Sequence, residues 1–252
     1  MKKAIIGSAL FSVVVLLAPM NVQAAGDGTT TGNSGETNAQ ITFEAANTNI
    51  APVNPNTPSE PDTTNPSTSN VTPNKDSKGP ALIYVTPQMT FRGADNKTLI
   101  DLYQNKSYFA TVSKDQPAAK AAESFDWNSK FVVEVADGRG AAAKWQVKVA
   151  GDKLKGGTTP DTIENATMTW PQAIVKNSSQ GDLDAKVSKD SLEITLGDPA
   201  KDILTADQGV GAGVTAAQFD PSAIKLTIPV NSAKPEAYST TLHWTLTDEA
   251  QS

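Results

Sequence analysis

The amino-acid sequence predicts an all-β fold: an antiparallel β-sandwich-like domain with Greek-key-type connections and few short helical turns. Two observations carry this prediction. Short runs rich in β-branched and aromatic residues recur throughout residues 81–252, and Gly, Pro, Asp and Asn separate them. Two of these runs alternate apolar and polar side chains so regularly that each is expected to be a strand with one buried face.

Seven runs have this strand character. They are residues 82–85, 108–112, 131–135, 144–149, 192–196, 224–228 and 242–246. Asp137-Gly138 is a strong turn pair, and it predicts a hairpin between the third and fourth of these runs. Because Arg139 and Gly140 must also fit into the connection, we expect a bulge or a wider loop there.

Helical content is expected to be slight. Asp198 has the character of an N-cap, and Pro199 follows it at the first helical position. This pattern predicts one or two helical turns over residues 198–204. Residues 118–123 are a second candidate for a short helical turn.

The N-terminus is typical of an export signal. Lys2 and Lys3 precede a mostly apolar run from Ala4 to Ala18, and Val22-Gln23-Ala24 offers small residues for a signal peptidase. The run is shorter than the roughly 20 residues that span a bilayer. We therefore predict a signal peptide at residues 1–24 and a secreted, extracellular protein whose mature chain has no transmembrane anchor.

Composition divides the remaining chain into three parts. Residues 25–50 are predicted to be a flexible segment, with a short strand at about 40–44 that could join the sheet. Residues 51–80 are rich in Pro, Asn and Thr and contain no aromatic residue, so they are predicted to be a linker or a long excursion. Residues 81–252 form the predicted β domain.

Composition also excludes several classes of function. The 252 residues contain no Cys and one His, so no disulfide, thiolate nucleophile or Cys-ligated metal centre can form. A formal net charge of -6 argues against nucleic-acid binding, which needs Lys and Arg opposite the phosphates. The sequence has no nucleophile elbow and no HExxH motif. We therefore expect neither an enzyme nor a metal or cofactor site.

Two tryptophan-bearing strands carry the most information. Trp145 and Val147 fall on one face of their strand, and Trp244 and Leu246 fall on one face of the last strand. We expect these stripes to belong to the core, because Trp buries a large apolar area. An exposed aromatic ledge that binds a ligand stays open as the alternative.

On these residues the chain resembles the WxL-domain surface proteins of Gram-positive bacteria, which carry a proximal and a distal Trp-x-Leu motif. The distal motif reads Leu242-His243-Trp244-Thr245-Leu246 after Tyr238, and the proximal one reads Asp137-Gly138-Arg139-Gly140 followed by Trp145-Gln146-Val147. Val147 stands where the family usually has Leu. The resemblance covers nearly the whole chain that follows the predicted signal peptide.

The resemblance implies a surface protein that attaches noncovalently to peptidoglycan through a WxL-type domain. It also implies assemblies at the cell wall with other WxL proteins and with a membrane-anchored partner protein. The residues that it implies for wall binding, by contact or by structural support, are Trp145, Gln146, Val147, Trp244, Thr245 and Leu246, with Asp137, Arg139 and Tyr238 as supporting residues.

Several alternatives stay open on the sequence. Asp137 and Arg139 flank a turn, and we interpret them as a local ion pair or as turn hydrogen bonds rather than as ligand-capturing groups. An acidic chain is repelled by anionic wall polymers, so attachment is expected to rest on a neutral glycan or peptide. Two rival functions are an exported carboxylate-dependent glycan hydrolase and a secreted adhesin that binds host matrix.

Overall fold

The structure is a computed structural model that describes residues 40–48, 50–61, 79–93, 100, 103–111, 130–140 and 144–249. The predicted signal peptide and the helical turn predicted at 118–123 lie outside the described residues. The chain divides into two compact units, residues 1–42 and 43–252. The described residues of the first unit, 40–42, are all exposed. All of the strands and helical turns described below belong to the second unit.

The regular secondary structure in the described part of the second unit consists almost entirely of β-strands. In chain order these are β1 (Val53–Asn54), β2 (Thr57–Pro61), β3 (Ala81–Val85), β4 (Thr90–Arg92), β5 (Lys106–Thr111), β6 (Phe131–Asp137), β7 (Lys144–Gly151), β8 (Leu154–Gly156), β9 (Thr162–Ile163), β10 (Thr167–Pro171), β11 (Ile174–Asn177), β12 (Gly181–Asp182), β13 (Ser191–Thr195), β14 (Lys201–Ala206), β15 (Gly213–Phe219), β16 (Lys225–Ile228), β17 (Tyr238–Ser239) and β18 (Leu242–Glu249). One α-helical turn, α1, spans Asp184–Val187, and one 3-10 turn spans Pro221–Ala223.

Two five-stranded sheets form the body of the domain. Sheet I has the strand order β13-β10-β16-β5-β4, and sheet II has the order β12-β11-β15-β6-β3. A three-stranded sheet with the order β14-β7-β18, here called the motif sheet, and a small sheet with the order β17-β8-β9 complete the domain together with the β1–β2 pair. All of these described pairings are antiparallel, which confirms the predicted all-β fold.

All seven predicted strands are present, as β3, β5, β6, β7, β13, β16 and β18, and their apolar faces meet in one core. The same alternation occurs in β10, where Met168 and Trp170 are buried and Thr167 and Thr169 are only partly buried. Trp170 of sheet I packs edge-to-face on Phe131 and Phe219 of sheet II, with ring centroids 5.1 and 5.4 Å apart. Each such side chain stabilises the fold by roughly 1.5–3 kcal/mol through burial.

Strand β6 is buried along its whole length because both of its faces are covered. Phe131 and Val133 point into the core, whereas Glu134 lies on the other face, beneath residues 51–61. The backbone N–H of Val53 donates to Oε2 of Glu134 at 3.1 Å, and Nε2 of Gln218 donates to the carbonyl of Pro55 at 2.9 Å. Residues 51–61, predicted as the start of a linker, therefore form a hairpin that packs against sheet II; residues 62–78 lie outside the described residues.

The predicted hairpin between residues 131–135 and 144–149 is wrong. Strand β6 pairs with β3 and β15, while β7 pairs with β14 and β18 in another sheet. The glycine of the turn pair has a different role, because the N–H of Ala46 donates to the carbonyl of Gly138 at 3.0 Å. A Cβ at Gly138 would overlap the carbonyl oxygen of Ala46. Gly138 thus permits the close approach of residues 46–48 and 50–61, here called the covering segment, rather than a tight hairpin turn.

Two other local predictions also differ from the structure. The helical turn predicted at 198–204 is wrong, because residues 201–206 form β14 and their backbone pairs with β7. The same Asp-Pro signature does begin a turn at Asp220, whose carboxylate accepts from the N–H of Ser222 at 3.0 Å. The short strand predicted at about 40–44 is not present, since residues 40–48 lie outside every strand.

We predict that Gly138→Ala releases the covering segment from sheet II. The added methyl group must displace the backbone of Ala46, and overpacking of this kind costs about 1–3 kcal/mol. Amide hydrogen exchange at Ala46 and Val53 should therefore become faster. Gly157→Ala is the matched control, because its methyl would meet nothing closer than 3.4 Å. Unchanged exchange in Gly138→Ala would contradict the prediction.

Candidate functional site

The two Trp-x-aliphatic motifs lie side by side in the motif sheet. Strands β7 and β18 pair antiparallel in a register that sets Trp145 opposite Asp248, Val147 opposite Leu246 and Val149 opposite Trp244. Residues directly opposite each other in an antiparallel pair point to the same face of the sheet. The apolar side chains of both motifs therefore form one continuous face, although the motifs are far apart in the sequence.

The proximal motif is part of the core. The side chains of Trp145 and Val147 are both 0 % exposed. The indole Nε1–H of Trp145 donates to the carbonyl of Gly211 at 3.3 Å, so its polar atom is satisfied inside the protein. A Cβ at Gly211 would lie 2.9 Å from Cζ2 of this indole. Gln146 is partly exposed on the opposite face, and its carbonyl accepts from the hydroxyl of Thr247 at 3.4 Å.

The distal motif lies at the edge of the core. The ring of Trp244 stacks on Phe131, with centroids 5.7 Å apart, and meets Trp170 edge-to-face at 5.6 Å. Trp244 and Leu246 pack against the core but keep part of their surface exposed, whereas Thr245 is exposed on the opposite face. The two tryptophans of the predicted site thus differ: one is enclosed, and the other is accessible from one side.

Arg139 joins both motif strands through a group of hydrogen bonds that we call the arginine clamp. Its Nε and Nη2 donate to the two carboxylate oxygens of Asp137 at 2.9 and 3.0 Å. Nη1 donates to the carboxylate of Asp248 at the end of β18, and Nη2 also donates to the carbonyl of Lys144 at the start of β7, at 2.9 Å. The hydrogen bond with Asp137 raises the pKa of Arg139 above its ordinary value.

The clamp confirms that Asp137 and Arg139 form a local ion pair, and it adds a partner that the sequence analysis missed. The carboxylate of Asp137 is 1 % exposed, so it depends on the guanidinium for compensation. Asp248 lies four residues after Trp244, beyond the recognised motif, and only the register of β18 brings it to Arg139. The Asp-x-Arg-Gly segment therefore ties the start of one motif strand to the end of the other.

A cleft of about 720 Å³ opens beside Trp244. One wall is the segment from Thr86 to Phe91, and the opposite wall runs from Ala233 to Leu242. Tyr238 belongs to the second wall, where its Oη accepts from the N–H of Lys234 at 3.0 Å. Apolar side chains of sheet I, of β6 in sheet II and of the small sheet also line the cleft, and we call them its floor: Phe131, Leu154, Ile163, Met168, Leu226 and Ile228.

Glu236 holds one end of the cleft together. Its Oε2 accepts from the hydroxyl of Thr158 at 2.6 Å and from the N–H of the same residue at 2.9 Å, and Thr159 donates to both carboxylate oxygens. These hydrogen bonds, led by that of the Thr158 hydroxyl, lower the pKa of Glu236 to about 2. Lys234 is paired in turn with Asp161. Glu236 thus links the β8–β9 connection to the cleft wall.

Within the described ranges, no cluster of three or more His, Asp or Glu side chains could hold a metal ion. His243 lies on the exposed face of β18, and its Nε2 is 3.1 Å from Oδ1 of Asp152. No helix in the described part of the chain is both long and apolar enough to cross a membrane.

Comparison with known proteins identifies the family. The model of the WxL domain, described as surface cell wall-binding, matches residues 30–249. The chain belongs to the WxL family. Neither the curated proteins nor the solved structures compared with it give a match. As a WxL protein it is a cell-wall-binding protein of the cell surface, and the matched region includes both motif strands, the arginine clamp and the cleft.

We predict that Arg139→Ala destabilises the WxL domain by about 3 kcal/mol, because it leaves the buried carboxylate of Asp137 without its partner. The stability of Arg139→Lys should fall between that of the wild type and that of Arg139→Ala, since an ammonium group cannot make the paired hydrogen bonds of a guanidinium. Urea unfolding measures both effects. Lys148→Ala is the control, because its ion pair with Asp202 lies at the surface with both side chains partly exposed and is worth at most about 1 kcal/mol. Equal losses in Arg139→Ala and Lys148→Ala would contradict a structural role of the clamp.

We predict that the carboxyl group of Glu236 titrates near pH 2 in the folded protein, below its unfolded value of about 4.3. The stabilisation by Glu236 is then complete above the unfolded pKa and is lost as the pH falls through the folded pKa. NMR of the carboxyl carbon measures the midpoint. Thr158→Ala should raise it by removing the principal donor. A wild-type midpoint at the unfolded value would show that these hydrogen bonds do not form in solution.

Proposed function

We propose that this WxL protein is secreted and attaches noncovalently to peptidoglycan, with the proximal motif as structural support and the distal motif beside the contact surface. One observation carries this division of roles. Trp145 and Val147 are 0 % exposed, whereas Trp244 keeps part of its surface exposed and lines the cleft. A side chain without accessible surface cannot touch a polymer unless the protein unfolds around it. The cleft wall that contains Tyr238 is next to the exposed part of the distal motif.

Charge supports an uncharged wall component as the ligand. The formal net charge of the chain is -6, so anionic wall polymers such as teichoic acids are repelled at long range. Among the described residues that line the cleft, Lys234 and Glu236 are the charged ones, and both have partners within the protein. Attachment then rests on aromatic and hydrogen-bonding contacts rather than on charge pairing.

The cleft favours binding over glycan hydrolysis. A glycosidase of the common type uses two carboxyl groups, one of which must be protonated in order to donate to the leaving oxygen. Glu236 supplies the single carboxylate among the described lining residues, and its pKa of about 2 keeps it ionised. A permanently ionised carboxylate that is already engaged by two threonines is a poor general acid. The protein is therefore proposed to hold the wall without cleaving it.

Assembly with other proteins is a further part of the proposal. The family resemblance implies other WxL proteins and a membrane-anchored protein as partners. The outward face of β18 carries Thr245 and His243, and both are exposed. This polar face is separate from the apolar face of the two motifs, so a protein partner could occupy it while the cleft holds the wall. Crosslinking on intact cells would identify such partners.

Retention of the purified protein on peptidoglycan sacculi tests the attachment. Sacculi stripped of teichoic acids should retain the wild type as well as intact walls do, because the anionic polymers are not the ligand. Trp145→Ala should lose retention together with its near-UV circular dichroism, since truncating a fully buried Trp costs about 3–5 kcal/mol. Trp145→Phe should keep most of the stability and of the retention.

Each other outcome points to a different function. A wild-type protein that stays in the supernatant contradicts wall attachment. Loss of retention in a Trp145→Ala variant that is still fully folded would show direct contact by the proximal motif. Release of soluble muropeptides would favour the hydrolase, and binding to host matrix without binding to sacculi would favour the adhesin.

A further inference from the structure

We infer that the cleft beside Trp244 binds the N-acetylated hexosamine backbone of a glycan, rather than a peptide or a phosphate polymer. Because this specifies the ligand of the wall-binding domain, it rests on the proposed function. The cleft volume of about 720 Å³ lies within the range of roughly 300–1,000 Å³ that is usual for small-ligand sites. Four features of its lining select the ligand: aromatic rings, an apolar floor, a polar rim and compensated charges.

Aromatic rings occur on more than one side of the cleft. Phe91 and Tyr108 come from the edge of sheet I, Tyr238 from the small sheet and Trp244 from the motif sheet. All four are partly buried, so part of each side chain remains accessible. An aromatic ring offers a flat apolar face together with, in Tyr and Trp, a polar edge. This combination suits a pyranose ring, which presents C–H groups on its faces and hydroxyl groups around its edge.

The lining of the cleft is more apolar than a sugar ring alone requires. Met89, Ile228 and Leu242 keep part of their surface accessible there, and the floor residues Ile163 and Met168 are buried. Hydroxyl groups gain nothing in such surroundings, since each would lose its hydrogen bonds to water. A methyl group does gain from burial there. The acetamido methyl group of an N-acetylated hexosamine meets this requirement, whereas the hydroxyl group at the same position of glucose does not.

The rim of the cleft supplies hydrogen-bonding groups. Gln88, Ser239 and Thr241 are exposed and line the cleft from both walls. Within the described part of the chain, no hydrogen bond engages these three side chains. An amide and two hydroxyl groups can both donate and accept, as the hydroxyl and acetamido groups of a glycan require.

The charged groups of the cleft argue against charged ligands. Lys234 forms an ion pair with Asp161, and Glu236 accepts hydrogen bonds from Thr158 and Thr159. A phosphate polymer would have to compete with Asp161 for the ammonium group. A peptide with a free amino or carboxyl terminus would find no unengaged opposite charge among the described lining residues. An uncharged ligand does not disturb either arrangement.

Titration of the full protein with tetra-N-acetylchitotetraose, followed by amide NMR and calorimetry, tests the site. We expect saturable shifts at cleft residues such as Gln88 and Ser239. Cellotetraose is the matched control ligand, because it has hydroxyl groups in place of the acetamido groups, and it should bind at least tenfold more weakly. Poly(glycerol phosphate) and a wall stem peptide should not shift these signals.

Variants separate the cleft from the rest of the surface. Ala237→Trp places a bulky side chain at an exposed position of the cleft wall, and it should weaken chitotetraose binding and sacculus retention at least tenfold. Ala200→Trp makes the same change at an exposed position outside the cleft lining, and it should bind like the wild type. Tyr238→Ala should weaken binding, whereas Tyr238→Phe, which keeps the ring, should change it less than threefold.

The outcomes distinguish this inference from the proposed function. Two results would overturn the cleft assignment and leave wall attachment standing. In the first, the wild type is retained on sacculi but chitotetraose does not shift the amide signals of the cleft. In the second, Ala237→Trp is retained on sacculi as well as the wild type. Equal binding of cellotetraose would overturn the role of the acetamido group. If the stem peptide or self-association of the protein, and not the glycan, shifts the amide signals of the cleft, the assignment of a glycan ligand is also overturned. Failure of the wild type to bind sacculi at all would reject the proposed function itself.

Discussion

Trp145 and Asp248 face each other across the ladder of β7 and β18, and this register determines most of what the site contains. It aligns the apolar residues of the two motifs on one face, so that both belong to the same core. It also brings Asp248 to Arg139, which simultaneously holds Asp137 at the end of β6. Because a slip of one residue would turn every side chain of β18 to the other face, the ladder and the clamp define a single arrangement.

The exposed and buried parts of the site depend on each other. Trp244 can keep one side accessible because Phe131 and Trp170 support its ring from within. Those two aromatic residues belong to sheets II and I, so the position of the distal motif is set by the packing of the whole sandwich. The proximal motif contributes through the same core: Trp145 fills the space between β7 and Gly211, and thereby holds the sheet in which Trp244 lies.

Local patterns in the sequence predicted the strands well and their partners poorly. Alternation in β7 and β18 located both strands and their apolar faces, because side-chain direction has a period of two along any strand. The turn pair Asp137-Gly138 was misleading, since its carboxylate and its missing Cβ serve contacts with Arg139 and Ala46. The Asp-Pro signature at Asp198 was overridden by pairing of β14 with β7, whereas the signature at Asp220 was not.

The sequence by itself determined the all-β class, the two motif strands and the family resemblance, because each depends on residue types and on short spacings. Only the tertiary structure decided which tryptophan is enclosed and which lines a cleft. Both strands have the same alternating pattern, so the difference between Trp145 and Trp244 cannot be read from it. That difference depends on what packs over each strand, and Gly211, Phe131 and Trp170 come from elsewhere in the chain.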